Sequence, residues 1–93
     1  MADPTFRAAP AEALRVEPLG EVTAIFDRRS TQTHLVVSPL PEILAAMGGE
    51  ACNASLLAMR LAARFDLPDG AETRAVLSER LRELAALGLV EPA

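Results

Sequence analysis

Apolar and polar residues alternate along Leu14-Arg15-Val16-Glu17-Pro18-Leu19, the period-2 mark of a half-buried strand. Pro18 has no N–H to give to a ladder, so this strand is expected at a sheet edge or to end there. Gly20-Glu21 reads as a turn and Val22–Phe26 as a second strand. Thr33–Val37, dominated by β-branched and apolar residues, reads as a third. Between them Asp27-Arg28-Arg29-Ser30-Thr31 is a polar cluster of turn-forming type. Turns this short make neighbouring strands antiparallel, so the stretch predicts a three-stranded meander.

From Ser38 the period changes to 3.6 and stays there. Ser38 is expected to cap a helix over Pro39–Met47, with Pro39 at its first position, where a missing N–H costs nothing. Leu40, Ile43, Leu44 and Met47 form its apolar stripe, and Gly48-Gly49 stops it. A second helix spans Ala54–Phe65 behind an Asn53 cap; Leu57, Leu61 and Phe65 form the stripe, and Arg60 and Arg64 mark the wet edge. Asp66-Leu67-Pro68-Asp69-Gly70 breaks the chain. A third helix runs over Glu72–Leu87, with Leu77, Leu81 and Leu84 inward and Glu79/Arg82 and Arg80/Glu83 as surface pairs. Gly88 sits where a C-terminal cap belongs, and Leu89-Val90 can fold back before Pro92. Residues 1–13, rich in Ala and Pro without a clear period, are expected to be a poorly structured lead-in with Phe6 pinned onto the domain. Residues 14–93 then form one domain, with strands and helices segregated along the chain: α+β, a three-stranded antiparallel sheet followed by three helices.

Composition narrows the function. Ninety-three residues leave room for one core. There is no Lys, and nine Arg against thirteen acids give a net charge of −4, which argues against a free-standing nucleic-acid binder. The third helix alternates Arg74, Arg80 and Arg82 with Glu72, Glu79 and Glu83, which is not the coherent positive face of a recognition helix. Cys52 is the only cysteine; with the single His34 it supplies too few soft ligands for a structural zinc site, and it reads as a buried residue. No paired-carboxylate motif, Gly-rich phosphate loop or nucleophile elbow is present, so the chain is expected to be non-catalytic and without a cofactor. No signal pattern opens the sequence and no apolar run approaches the ~20 residues of a membrane span, so the expectation is a cytoplasmic protein.

If strand order follows the chain, Thr33–Val37 is an edge. It carries neither Lys nor Pro, the usual blockers, and its centre is Leu35-Val36-Val37. Such an edge is either hidden or paired with something.

The stretch Asp27-Arg28-Arg29-Ser30-Thr31-Gln32-Thr33-His34-Leu35, followed by Ser38-Pro39, Ile43-Leu44 and the late Leu84…Gly88-Leu89-Val90-Glu91-Pro92, resembles the PqqD-like proteins. These are small peptide chaperones known as RiPP recognition elements. The DRRS-x-QTHL run is similar to a subgroup associated with a protein related to HPr kinase, and Phe6-Arg7 falls where that subgroup carries an aromatic–Arg pair. The resemblance spans Phe6 to Pro92, but only Asp27–Leu35 is specific; the helices match in pattern alone. Thr31 departs from it, standing where the subgroup has Gly, and Thr would not adopt positive φ cheaply.

The resemblance implies a winged-helix-like fold in which a precursor's leader peptide adds as an extra strand beside the third strand, in a groove bordered by the third helix. Carried onto this chain, Thr33, His34, Leu35, Val36 and Val37 form one wall. On the other, Leu77 and Leu81 offer apolar pockets, and Arg74 or Arg80 meets acidic side chains. His34, on the opposite face from Thr33 and Leu35, is a candidate contact or protonation switch. Arg28 and Arg29 are candidates for gripping a phosphate or carboxylate on a partner. Asp27 and Ser30 suit turn backbone groups, and Ser30, Thr31 and Thr33 are candidate phosphorylation targets of a kinase-like neighbour. The reading is a non-catalytic module that captures a leader or precursor peptide and presents it to a modifying enzyme or kinase-related protein. Its rivals are a winged-helix DNA-binding regulator and a structural subunit that forms a homodimer through its open sheet edge.

Overall fold

The computed structural model describes residues 4–64 and 70–93. Its elements are β1 (Phe6–Ala8), β2 (Leu14–Leu19), β3 (Val22–Asp27), β4 (Gln32–Val37), α1 (Leu40–Met47), α2 (Ala54–Arg64), α3 (Ala71–Ala86) and β5 (Val90–Pro92), with a turn of 3-10 helix at Ala11–Ala13. The fold is α+β, with β2, β3 and β4 as an antiparallel meander ahead of three helices. β2 is an edge, as Pro18 requires, and β4 is the other. No helix among the described residues is long and apolar enough to cross a membrane.

Each turn has a local cause. Gly20 adopts φ +76° at the first position of the two-residue loop joining β2 to β3, the position a type II′ hairpin turn reserves for glycine. Thr31, at the end of the loop joining β3 to β4, takes φ +60°. The turn thus keeps the left-handed conformation despite the β-branched residue, and Thr31 N–H closes it by donating to the Asp27 carbonyl at 2.7 Å. The third turn, again glycine-dependent, ends α3. Leu89 N–H donates to the Leu84 carbonyl and Gly88 N–H, with Gly88 at φ +78°, to that of Ala85, the two bonds of a Schellman cap. Leu84 and Leu89, both fully buried, supply the apolar contact that accompanies it.

Helix starts follow the expectations less closely. Asn53 does cap α2, its Oδ1 accepting from Leu56 N–H at 2.8 Å. α1 instead begins one residue later than expected: Pro39 occupies the cap position and Pro41 lies in the first turn. Ser38 makes no cap bond; its hydroxyl donates to the Glu42 carboxylate. Arg60, expected on the wet edge of α2, turns back instead. Its guanidinium donates to the carbonyls of Ala46 and Met47, the last residues of α1, where a cation complements the helix dipole. Phe65 and residues 66–69 lie outside the described residues.

The lead-in is the main difference from expectation. Phe6–Ala8 form a strand antiparallel to β5, so the ends of the chain close a small second sheet. Phe6 also exchanges both backbone hydrogen bonds with Cys52, at 2.9 and 2.8 Å. Its ring joins Ile25, Ile43, Met47, Leu57, Leu81, Leu84 and Leu89 in the core. The 3-10 turn then hands the chain to β2, and Arg28 N–H donates to Ala13. Periodicity cannot report a strand of three residues whose stability comes from partners at residues 52 and 90–92. Cys52 is buried, and burial pushes its thiol up from its ordinary range, as suits a packing residue.

Two substitutions test these points. Phe6→Ala is expected to cost about 3–5 kcal/mol in denaturant unfolding; a loss under about 1 kcal/mol would mean the lead-in only drapes over the domain. Thr31→Gly removes left-handed strain at the cost of backbone entropy, and should raise stability by about 1 kcal/mol. A lower melting temperature in calorimetry would show that Thr31 is not strained.

Candidate functional site

Ladder register decides which side chains β4 presents. Val16, Ile25 and His34 lie opposite one another, as do Pro18, Thr23 and Val36, and these rows share the core face with Leu14, Asp27 and Gln32. The outer face carries the rows Leu19–Val22–Val37, Glu17–Ala24–Leu35 and Arg15–Phe26–Thr33. Val36 is therefore buried, while Leu35 and Val37 are 69% and 55% exposed and Thr33 is exposed. The five candidate residues of this strand split between two faces: Val36 and His34 inward, Thr33, Leu35 and Val37 outward. Among the described residues β4 pairs with no strand beyond β3, so the backbone groups that point away from β3 lack a ladder partner there.

The hairpin is held in place by Asp27, the buried charged residue of the sheet at 4% exposed. The Arg29 guanidinium grips its carboxylate through two bonds, Nε to Oδ1 at 3.0 Å and Nη2 to Oδ2 at 2.9 Å, and Arg29 N–H adds a third at 2.9 Å. Nη2 also donates to the Gly88 carbonyl at 3.1 Å, tying the turn to the end of α3. Those side-chain hydrogen bonds from Arg29, opposed in part by burial, hold the Asp27 carboxyl at about 2, and the nearby His34 pulls in the same direction. This corrects the pairing of Arg28 with Arg29 as partner contacts. Arg29 is engaged within the fold, and Arg28 is the exposed member with no side-chain hydrogen bond among the described residues.

Ser30 Oγ accepts from Gln32 N–H and the Ser30 carbonyl from the Thr31 hydroxyl, so Ser30 serves turn backbone as expected.

The proposed far wall looks different from its expectation too. Leu77 and Leu81 are buried at 4% and 1% and belong to the core, so neither offers an open pocket. α3 packs mainly on α2 and β5, and α1 is the helix that meets β4. Arg74 is exposed. Arg80 is committed to Glu83 at 3.1 Å and Glu79 at 3.4 Å. Glu79 thus pairs with its neighbour rather than with Arg82. His34 Nε2 and Arg80 Nε are buried without a hydrogen-bond partner. A cavity of about 800 Å³ lies away from β4, between the lead-in, β2 and α1; Ala8, Pro10, Leu14, Val16 and Leu44 line it. Among the described residues no three of His, Cys, Asp and Glu converge as metal ligands would.

The signal that sequence reasoning missed is the outer face. Leu19, Val22, Phe26, Leu35 and Val37 all fall on it, and they do so because Val22 is paired with Val37, a register legible only once the hairpin loop is known. No protein-family model matches the chain, and no curated protein or solved structure matches it.

Asp27 makes a pH prediction. Its folded pKa lies below the unfolded value, so the folded state binds fewer protons, and the contribution is full above the unfolded pKa and lost as pH falls. Denaturation at stepped pH should show a falling limb between about pH 4 and pH 2 that Asp27→Asn removes. An unchanged limb in the variant would assign the acid loss to other carboxylates.

Proposed function

We propose that this chain is a non-catalytic peptide-binding module that captures an extended segment of a leader or precursor peptide by strand addition at β4 and presents it to a modifying enzyme. The observation that carries the reading is the asymmetry of the two edges. β2 contains Pro18, which blocks a ladder, and presents Arg15 and Glu17 on the outer face. β4 has neither Pro nor Lys, spans six residues, and has unpaired backbone groups along its free side. An extended peptide placed there gains main-chain hydrogen bonds in any sequence, and its alternate side chains meet the two faces of β4.

The likeness of Asp27–Leu35 to the PqqD-like proteins supports the same reading, and with it a kinase-related protein as the neighbour that receives the peptide. Thr33 through Val37 are the contact residues of this proposal. Arg28 remains as the turn residue available to a partner carboxylate or phosphate, and Arg74 as an exposed cation of α3. Leu77 and Leu81 act beneath that surface as packing.

The reading is tested by NMR titration of the isolated chain with leader peptides encoded beside its gene. The expected result is new protection of alternate amides in Gln32–Val37, with smaller shifts elsewhere. Amides already protected in the free chain, together with a dimer mass in light scattering, would give the edge to self-association instead.

A further inference from the structure

We infer that peptide selection at this edge lies on the outer face of the sheet, where Leu35 and Val37 require apolar side chains at two alternating positions of the incoming strand. This rests on the strand-addition reading and goes beyond it by assigning the specificity to two residues and a spacing.

The argument starts from exposure along the cross-strand rows. In the row Leu19–Val22–Val37 the central Val22 is half-buried, flanked on both sides, whereas Val37 has a neighbour on one side only. Ala24 and Leu35 show the same step one row along, from half-buried to the 69% exposure of Leu35. Leu19, at the opposite end of the first row, is exposed to the same 55% as Val37, so exposure marks the edge positions of this face, and at Leu35 and Val37 it lies beside the edge without blockers. The strand that would cover them also supplies the N–H and C=O groups that the free side of β4 lacks. A helix cannot do both, because its backbone groups are spent internally. An extended peptide can, and strand periodicity then fixes its chemistry. Residues two apart point to one face, so one apolar side chain falls beside Leu35 and the next but one beside Val37.

On the core face β4 itself offers no exposed apolar side chain. Val36 is buried there, the buried edge of His34 faces inward, and Leu77 and Leu81 lie in the core. Thr33, the third outward residue, sits next to Phe26 at the turn end and tolerates a polar neighbour.

The test uses a random-peptide display library selected on the wild-type chain, with binding of the selected peptides measured by fluorescence anisotropy and their site by amide protection. The expected outcome is a set of peptides that protect β4 amides and share two apolar residues separated by one position. Leu35→Ser and Val37→Ser, both at exposed sites, should each weaken these peptides about three- to fivefold. Leu19→Ser, equally exposed but on the far strand, should leave affinity unchanged. Peptides that protect β4 yet show no such spacing, or that ignore Leu35→Ser and Val37→Ser, would overturn the outer-face assignment while leaving strand addition standing. If no selected peptide protects β4, or β4 is already protected within a dimer, both fall.

Discussion

A buried carboxylate at the end of β3 anchors the loop through which the central hairpin turns. Asp27 is the last residue of β3, and Arg29 holds it through both side-chain oxygens while reaching across to the Gly88 carbonyl. Thr31 N–H closes the hairpin on the Asp27 carbonyl with Asp27 opposite Gln32, and the Arg29 grip holds the loop between them. A slip by one residue would turn Val36 outward and drive Leu35 and Val37 toward Ile25 and the helices. The Asp27 carboxylate is buried while the Arg29 side chain is 46% exposed, so solvent screens the pair in part. Its weight lies in specifying one arrangement among those that an apolar strand would otherwise sample. The strained Thr31 belongs to the same device, because its left-handed φ carries the chain back into line with β3.

The two chain ends complete the core that the meander leaves open. The three-stranded sheet covers one side of the helices, but Leu89 and Val90 would be exposed without β1 beside them. Phe6 fills that place with its ring and joins two distant segments with its backbone, to Cys52 and to β5. Loop closure over such separations is costly in entropy, and the return is a core residue together with a paired strand. The domain therefore begins at the strand of Phe6 and not at Leu14.

Long periodic segments were legible in the sequence, and short or paired ones were not. The stripe of Leu77, Leu81 and Leu84, the Asn53 cap and the Gly88 stop all survive, because each is a local pattern with a local cause, whereas Leu14–Leu19 forms its strand but leaves Val16 and Leu19 more than half exposed. β1 and β5 escaped because three residues carry no period. The expectation of a free Arg28-Arg29 pair failed at Arg29 because Asp27, two residues before it, was assigned to the turn backbone alone. Arg60 was misplaced for a similar reason: an arginine beside an apolar stripe looks solvated until the carbonyls at the end of α1 come within its reach. For the candidate site, which strand is the open edge was legible from Pro18 and the absence of blockers. Which face of that strand is accessible was not, since it follows from tertiary register.

That last distinction bears on how an open apolar edge is tolerated. An unblocked strand with Leu35 and Val37 exposed on one face invites association with any extended chain, a copy of itself included. A six-residue strand offers few main-chain hydrogen bonds to either partner. Affinity from backbone pairing alone is then low and indifferent to sequence, and discrimination must come from side chains. With Val36 turned into the core and Leu77 and Leu81 buried, the exposed apolar side chains of β4 are Leu35 and Val37 on the outer face. The hairpin register that sets Asp27 opposite Gln32 is thus also what decides which two residues an incoming peptide would meet under the strand-addition proposal.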